Sequence, residues 1–189
     1  MTSLNLPPTE GIDVEDLLTL PKGYRYELHE GNLVVMTPST FWHKDMVWRL
    51  LSMLRAVGLM AFPDPGVLGD GPRDNRLPDV GVVKELPAGR VTTSYSNLPG
   101  SAYLLVVEVV SENSLNGEYT DKMAWYAQRG IPQYWIVDQA PSRADDDALV
   151  LVHTLSRSRG KPAYVRGREL LLSELEAEYR AGRADGDRL

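Results

Sequence analysis

The apolar positions of the chain follow a helical period most clearly between Ser39 and Gly58. Six of them recur there at three- and four-residue spacing: Met46, Val47, Leu50, Leu51, Leu54 and Val57. This spacing places them on one face of a helix. Ser39 or Thr40 can act as the N-cap, and Gly58 ends the pattern. The sequence therefore predicts a long amphipathic helix between these residues.

Two short runs upstream of this helix have the pattern of a β-hairpin. Residues 24–28 alternate between apolar and polar side chains, and residues 33–36 are a short apolar run. Residues 29–32 separate the two runs, and Gly31 or Asn32 can adopt the positive φ that a tight turn needs. We therefore expect two antiparallel strands here.

A strand, a helix and a second strand follow one another in the second half of the chain. Residues 102–110 are continuously apolar and β-branched apart from one glutamate, which is typical of a strand covered on both faces. Residues 118–129 have a helical pattern that Gly130 closes, and residues 134–137 form another apolar run. Strands joined in this way are parallel, with a right-handed crossover. The order predicts a parallel pair at the centre of a sheet.

The other segments are shorter or less regular. In order they are a short helix over 13–20, capped by Asp13 with Val14, Leu17 and Leu18 inward, a loop over 63–75, a strand over 77–83, an irregular stretch over 86–100, a polar loop over 138–147, and apolar segments over 149–155 and 164–172. A chain of 189 residues can bury one good core. We therefore expect a single α/β domain, with an N-terminal arm over 1–12 and a mobile tail over 173–189, helical and solvated or disordered.

Composition narrows the classes of function. The chain has no cysteine, which excludes disulfides, thiolate metal sites and cysteine nucleophiles. Its formal charge of −6 and pI near 5.1 argue against a broad basic surface that coats nucleic acid. No leader pattern and no apolar run of roughly 18 residues is present. We therefore expect a soluble, unprocessed, cytoplasmic protein with no membrane partner.

Two carboxylates are candidates for chemistry. Glu108 interrupts the apolar run Leu105-Val106-Val107-Glu108-Val109, where a buried carboxylate costs several kcal/mol without a compensating partner. A structural salt bridge would compensate it, and so would a divalent metal ion, because Mg²⁺ prefers oxygen ligands. Asp79 in Leu77-Pro78-Asp79-Val80 offers a second carboxylate, although Pro-Asp also commonly begins a turn. The pair favours a metal site more than either residue alone.

Lys122 and Glu27 are further candidates, each with a structural alternative. Lys122 can form an ordinary i,i+4 ion pair with Glu118 on an exposed helix face. It also shares a partly apolar stripe with Tyr126, which would direct its ammonium toward the sheet, where it could position a water and stabilise a phosphorane. Glu27 alternates within a half-buried strand, so cross-strand pairing explains it as well as catalysis does. His43 is more often a polar residue at a helix start than a ligand.

The chain resembles the Uma2 family of restriction-endonuclease-like proteins, in the PD-(D/E)XK nuclease superfamily. The matching segments are Tyr26-Glu27-Leu28 with Gly31, Leu33-Val34-Val35-Met36-Thr37-Pro38, His43, Leu77-Pro78-Asp79-Val80, Leu105-Val106-Val107-Glu108-Val109-Val110-Ser111, Asp121-Lys122 with Tyr126, and Gly130-Ile131-Pro132-Gln133-Tyr134-Trp135-Ile136-Val137-Asp138. They span residues 24–138 in the family's order. Where the superfamily usually has its lysine, two residues after the glutamate, this chain has Val110.

The resemblance implies a mixed central β-sheet flanked by helices and a set of site residues. Asp79 and Glu108 would bind metal, Lys122 would be the catalytic lysine displaced onto the next helix, and Glu27 would be an additional acidic residue. The expected activity is Mg²⁺-dependent hydrolysis of DNA phosphodiesters, with Mn²⁺ as a substitute and the Val109 carbonyl as a third ligand. Because nucleases that cut both strands often dimerise, a homodimer is compatible with this function.

Two alternatives use the same scaffold. One is a non-catalytic module that binds nucleic acid or protein, which the acidic net charge and the lack of an evident DNA-reading domain favour. The other is hydrolysis of RNA or of a small phosphodiester at the same residues. Neither can be separated from DNA cleavage by sequence.

Overall fold

The structure is a computed structural model that describes residues 11–36, 38–86, 97–110, 117–140, 145–157 and 160–185, with side chains to residue 182. In these ranges the strands are β1 Tyr26–His29, β2 Asn32–Val35, β3 Met60–Pro63, β4 Gly66–Leu68, β5 Asn75–Arg76, β6 Val80–Val83, β7 Asn97–Pro99, β8 Tyr103–Val109, β9 Gln133–Gln139, β10 Ala148–Ser156 and β11 Ala163–Leu171. The helices are α1 Phe41–Ala56, α2 Asp121–Gln128 and α3 Leu172–Asp185. The predicted mixed α/β class is confirmed.

A six-stranded mixed sheet forms the centre of the molecule. Its strand order is β11-β10-β9-β8-β6-β3. Strands β8 and β9 are parallel, with Val107 opposite Trp135, and α2 connects them. The neighbouring pairs are antiparallel. The parallel pair that the sequence predicted is therefore present at the sheet centre.

The two faces of this sheet bury different helices. Leu105, Val107 and Val109 of β8 belong to a core cluster with residues of α1 and α3, including Leu50 and Leu172. Val106 belongs to a second cluster, in which Trp125 and Tyr126 of α2 pack against Tyr134 and Ile136 of β9. Since side chains alternate between the faces of a strand, residue 108 must project on the same face as Val106, toward α2.

A second sheet carries the predicted hairpin. Its strand order is β2-β1-β5-β4-β7, and Tyr26 of β1 lies opposite Val35 of β2. The turn has positive φ at Glu30 (50°) and at Gly31 (89°), so the prediction for Gly31 holds, and Glu30 shares the turn instead of Asn32.

The prediction of a loop over 63–75 is wrong in part. This segment contains β4 and the start of β5, which pair with each other through Leu68 and Asn75. Strand β5 also pairs with β1, through Leu28 opposite Asn75. Residues dense in Gly, Pro and Asp have weak strand propensity, and these short strands form because neighbouring strands supply their hydrogen-bond partners. They bring the hairpin close to residues 77–79.

Several other boundaries differ from the sequence prediction. The helix over 13–20 is reduced to a 3₁₀ turn, Asp16–Thr19, and Leu18 is exposed where it was expected to be buried. The strand over 77–83 begins only at Val80, and a 3₁₀ turn precedes α2. The irregular stretch 86–100 includes β7, although residues 87–96 lie outside the described residues, as do residues 1–10.

The C-terminal segment from Ser173 is helical, but the expectation that such a helix would be solvated is wrong in part. Helix α3 packs against α1, and its Leu175 is buried in the same core cluster. In the part of the chain that the structure describes, no helix is long and apolar enough to cross a membrane.

Candidate active site

Glu108 is held at the end of β8 by two residues of α2. Its side chain is only 2% exposed. The Tyr126 hydroxyl donates a hydrogen bond of 2.7 Å to Oε1, and the Lys122 ammonium donates one of 2.8 Å to Oε2. Lys122 and Tyr126 are four residues apart and share one helix face. The face that α2 turns toward the sheet therefore supplies a donor to each oxygen of this carboxylate.

Asp79, just before β6, is held by the backbone of β8 and by side chains from α1 and from the segment before β1. The backbone N–H of Val109 donates a hydrogen bond of 2.8 Å to its Oδ2. His43 Nε2, in the first turn of α1, lies 3.2 Å from Oδ1, and Arg25 Nη2 lies 3.8 Å from the same oxygen. Asp79 thus contacts the residue next to Glu108, because β6 and β8 are neighbours in the sheet.

Glu27 reaches the same region from the second sheet. It is 1% exposed. Its Oε1 accepts a hydrogen bond of 2.7 Å from the backbone N–H of Leu77, two residues before Asp79. Its Oε2 lies 2.6 Å from His29 Nε2. Glu27 therefore holds the backbone just before β6 in place. The hairpin contributes in this way a third buried carboxylate.

A fourth carboxylate, Asp64, lies beside Asp79. The Asp64 backbone N–H donates to the Asp79 carbonyl at 3.3 Å. Burial and the nearby negative charge of Asp79 raise the pKa of Asp64, against the opposing effect of Arg25. We call Glu27, Asp64, Asp79 and Glu108 the acidic cluster.

The pKa values show how unevenly the charges are compensated. Burial, together with the negative charges of Asp79 and Glu27, raises the pKa of Glu108 to about 7 in spite of the neighbouring Lys122. Burial also acts to raise the pKa values of Asp79 and Glu27, but it is outweighed. The interactions with His43 and the Val109 N–H lower the pKa of Asp79. The hydrogen bond with His29 and the positive charge of Lys122 lower the pKa of Glu27.

Lys122 carries its full positive charge within this cluster. Burial alone would lower the pKa of its ammonium, yet the carboxylates of Glu108 and Glu27 raise that pKa above the ordinary value. Its alternative partner Glu118 is also close, at 3.7 Å. The i,i+4 pair and the contact with the sheet therefore coexist, and the shorter contact is the one with Glu108.

The Val109 carbonyl points toward Asp79. The N–H of the next residue, Val110, donates to Val137 of β9, whereas the N–H of Val109 donates to Asp79 on the opposite side. Because the N–H and C=O of one strand residue point to the same side, the Val109 carbonyl faces away from β9 as well. This oxygen is a suitable third neighbour for a cation between the two carboxylates.

The donor set suits a hard divalent ion that keeps several waters. Among the described residues, no group of three or more His, Cys, Asp and Glu side chains is arranged to hold a metal ion, so the protein offers at most two carboxylates to one ion. Asp79, Glu108 and the Val109 carbonyl offer oxygen atoms, which Mg²⁺ prefers, and Mg²⁺ commonly takes one or two carboxylates and completes its octahedron with water. Each carboxylate oxygen has a second lone pair beyond the hydrogen bond it accepts. A cation here would also neutralise the poorly compensated Glu108.

Sequence reasoning singled out Glu27, Asp79, Glu108 and Lys122, and the structure brings all four into one region. Sequence reasoning did not assign roles to Tyr126, Arg25, Asp64 or His29. It favoured a structural role for His43. Spacing could have found Tyr126, which lies one helical turn after Lys122. Spacing could also have found His29, which lies two residues after Glu27 on the same strand. No sequence signal marks Arg25 or Asp64, because their contacts with Asp79 join segments that are distant in sequence.

Comparisons with known proteins give one family. Residues 14–180 match the family model of Uma2, described as "Putative restriction endonuclease". A solved structure, of "a putative nuclease belonging to DUF820 from Anabaena variabilis ATCC 29413", is similar in fold, with a TM-score of 0.62 and 15% sequence identity. The similarity covers 89% of this chain and 99% of that one. No curated protein shows a significant match to the chain.

Proposed function

The chain belongs to the Uma2 family, and from the site described above we propose that it is a divalent-metal-dependent nuclease that hydrolyses DNA phosphodiester bonds. The observation that carries this proposal is the arrangement around Glu108. A buried carboxylate with a raised pKa accepts hydrogen bonds from Lys122 and Tyr126, and Asp79 is bonded to the next residue along the strand.

The proposed metal ligands are Asp79, Glu108 and the Val109 carbonyl. When bound, Mg²⁺ supplies Lewis-acid polarisation of the phosphate and makes a water molecule more acidic. Mn²⁺ is the proposed substitute, because it accepts the same oxygen ligands.

The protein groups have separate roles in this proposal. Lys122 places a positive charge beside Glu108, where it can orient the attacking water and stabilise the charge that develops on phosphorus-bound oxygens. Tyr126 fixes the other oxygen of Glu108 and so limits its rotation. Glu27, held by Leu77 and His29, ties the hairpin to the segment just before β6 and adds negative charge near the site.

Nicking of supercoiled plasmid tests this function. We expect Mg²⁺ or Mn²⁺ to support nicking by the wild type and a chelator to abolish it. The Glu108→Gln variant, purified in parallel, should lack the activity. Glu169→Gln is a matched control, because Glu169 is half exposed and pairs with Arg166 on β11.

Two results would contradict the proposal. Equal nicking by the wild type and Glu108→Gln would assign the activity to another site or to a contaminant. Absence of cleavage across a panel of DNA, RNA and small phosphodiesters would favour a binding module on the same fold. Light scattering after gel filtration tests the associated proposal of a homodimer.

A further inference from the structure

A second permanently charged cation, Arg25, lies beside the acidic cluster. Arg25 precedes β1 by one residue. Its Nη2 lies 2.5 Å from Asp64 Oδ1 and 3.8 Å from Asp79 Oδ1. Arg25 therefore stands next to one of the proposed metal ligands, on an element that does not carry Lys122.

The guanidinium of Arg25 is held by charge more than by well-aligned hydrogen bonds. Its Nε and Nη2 are buried, and within the described part of the chain neither meets the angular requirements of a hydrogen bond. Nη2 nevertheless lies within ion-pair distance of Asp64. Buried polar groups without partners are uncommon and costly, so such a group calls for an acceptor. Lys122, in contrast, is bonded to Glu108 and is only 17% exposed.

Arg25 and Asp64 also form the more open side of the cluster. Their side chains are 32% and 41% exposed, compared with 9% for Asp79 and 2% for Glu108. Asp64 has a positive φ of 50°, a conformation that costs free energy for a residue other than glycine. Asp64 thus has an unfavourable backbone conformation, and its carboxylate pairs with Arg25 at the edge of the site.

The charge of the cluster explains why a substrate would need this arginine. Among the described residues, the four carboxylates have ion pairs with two permanently charged side chains, Arg25 and Lys122, so the excess negative charge repels an approaching phosphate. A guanidinium offers two parallel N–H groups that match the oxygens of a phosphate, whereas an ammonium acts as a point charge. Arg25 has this geometry, is partly exposed, and has donors whose present acceptor is poorly aligned.

We propose that Arg25 binds a phosphate oxygen of the nucleic-acid substrate next to Asp79, exchanging its ion pair with Asp64 for the phosphate. This inference rests on the proposed nuclease function and adds a residue that recognises substrate. Arg25 contributes to binding of the phosphodiester and not to activation of the water.

Fluorescence anisotropy with a short labelled DNA duplex in Mg²⁺ tests the proposal. The titrations use the Lys122→Met background so that the DNA stays intact, which a gel run after each titration verifies. We expect Arg25→Gln to raise Kd roughly tenfold or more, and to make the slope of log K against log salt shallower by about 0.7 to 0.9, the value for one lost phosphate contact. The matched control is Arg166→Gln, which removes the same charge from an exposed position on β11 and should leave both quantities nearly unchanged.

A second variant covers the case in which Arg25→Gln folds poorly. Arg25→Lys keeps the charge beside Asp64 and loses only the fork of donors, so we expect an intermediate Kd and a salt slope equal to that of the parent. A parental Kd and slope in Arg25→Gln would overturn the inference for Arg25, and so would a parental Kd in Arg25→Lys if only that variant folds. Failure of the proposed nuclease function gives a different result. In that case the wild type cleaves no nucleic acid, independently of how the Arg25 variants bind DNA.

Discussion

The Tyr126 hydroxyl donates a hydrogen bond of 2.7 Å to Glu108 Oε1, and both side chains are almost completely buried. Lys122 occupies the other oxygen at 2.8 Å. Both donors belong to α2, and the acceptor belongs to β8. The geometry of the helix on the sheet therefore decides how this carboxylate is oriented.

We expect Tyr126→Phe to destabilise the fold by about 1 to 3 kcal/mol. The variant leaves a buried carboxylate oxygen without its donor, and hydrogen bonds to charged groups contribute more than neutral ones. Urea denaturation at pH 8 measures the change. Tyr24→Phe is the matched control, since Tyr24 is 47% exposed and its variant should stay within about 0.5 kcal/mol of the wild type. A Tyr126→Phe variant as stable as the control would show that the hydroxyl does not support Glu108.

Divalent metal should raise the melting temperature of the wild type. Carboxylates that share a site repel one another, and a ligand that binds only the folded state stabilises it by mass action. Glu108→Gln should remove most of this shift in Mg²⁺ and Mn²⁺, while Glu169→Gln should keep it. Thermal melts with metal and with chelator provide the measurement. A full shift in Glu108→Gln would show that Glu108 is not a ligand.

Lys122→Met should lose nicking activity by two or more orders of magnitude, about 2.7 kcal/mol or more of transition-state stabilisation. It should also lose about 3 kcal/mol of stability at pH 8, because it leaves the buried Glu108 carboxylate without its cation. Initial nicking rates and urea melts measure the two effects separately. The double variant Lys122→Met with Glu108→Gln should recover much of the stability and none of the activity. Wild-type nicking in Lys122→Met would exclude a catalytic role for the lysine.

Without metal, Glu108 should make the protein less stable as the pH rises from about 4.5 to about 7. Burial raises the pKa of Glu108 in the folded state to about 7, from an ordinary value of 4.5. Between these values the folded state holds a proton that the unfolded state has released, so the free energy of unfolding falls by up to about 1.4 kcal/mol per pH unit. Above pH 7 this dependence ends.

Asp79 and Glu27 have the opposite sign, since their pKa values are lowered in the folded state. The stability they contribute is present above their ordinary values, near 4, and is lost as the pH falls further. Urea melts in chelator across pH 4.5 to 8, on the wild type and Glu108→Gln, isolate the effect of Glu108. If the difference in stability between the two proteins does not change with pH, Glu108 has an ordinary pKa.

The sequence determined the elements that are stabilised by their own periodicity. Helix α1 begins after Thr40 as expected, and Thr40 accepts a hydrogen bond from the His43 N–H at its N-terminus. Strand β8, helix α2 and strand β9 form the predicted parallel unit. Each has apolar residues at the period of its own element, and these residues pack together in one core cluster. The same patterns identified Glu108 as a charged residue among apolar ones and Lys122 as a lysine on a partly apolar helix stripe.

Only the tertiary structure decided which groups meet around these residues. Strands β4 and β5 have weak local signals and exist because β1 and β7 pair with them. Arg25, next to β1 of the second sheet, reaches Asp79 because the two sheets come together there. Asp64 lies beside Asp79 because β3 pairs with β6 in the central sheet. Periodicity reports which face of an element is buried, since burial repeats along the chain. A contact between residues far apart in sequence leaves no such repeat, so the partners of the carboxylates could be known only from the fold.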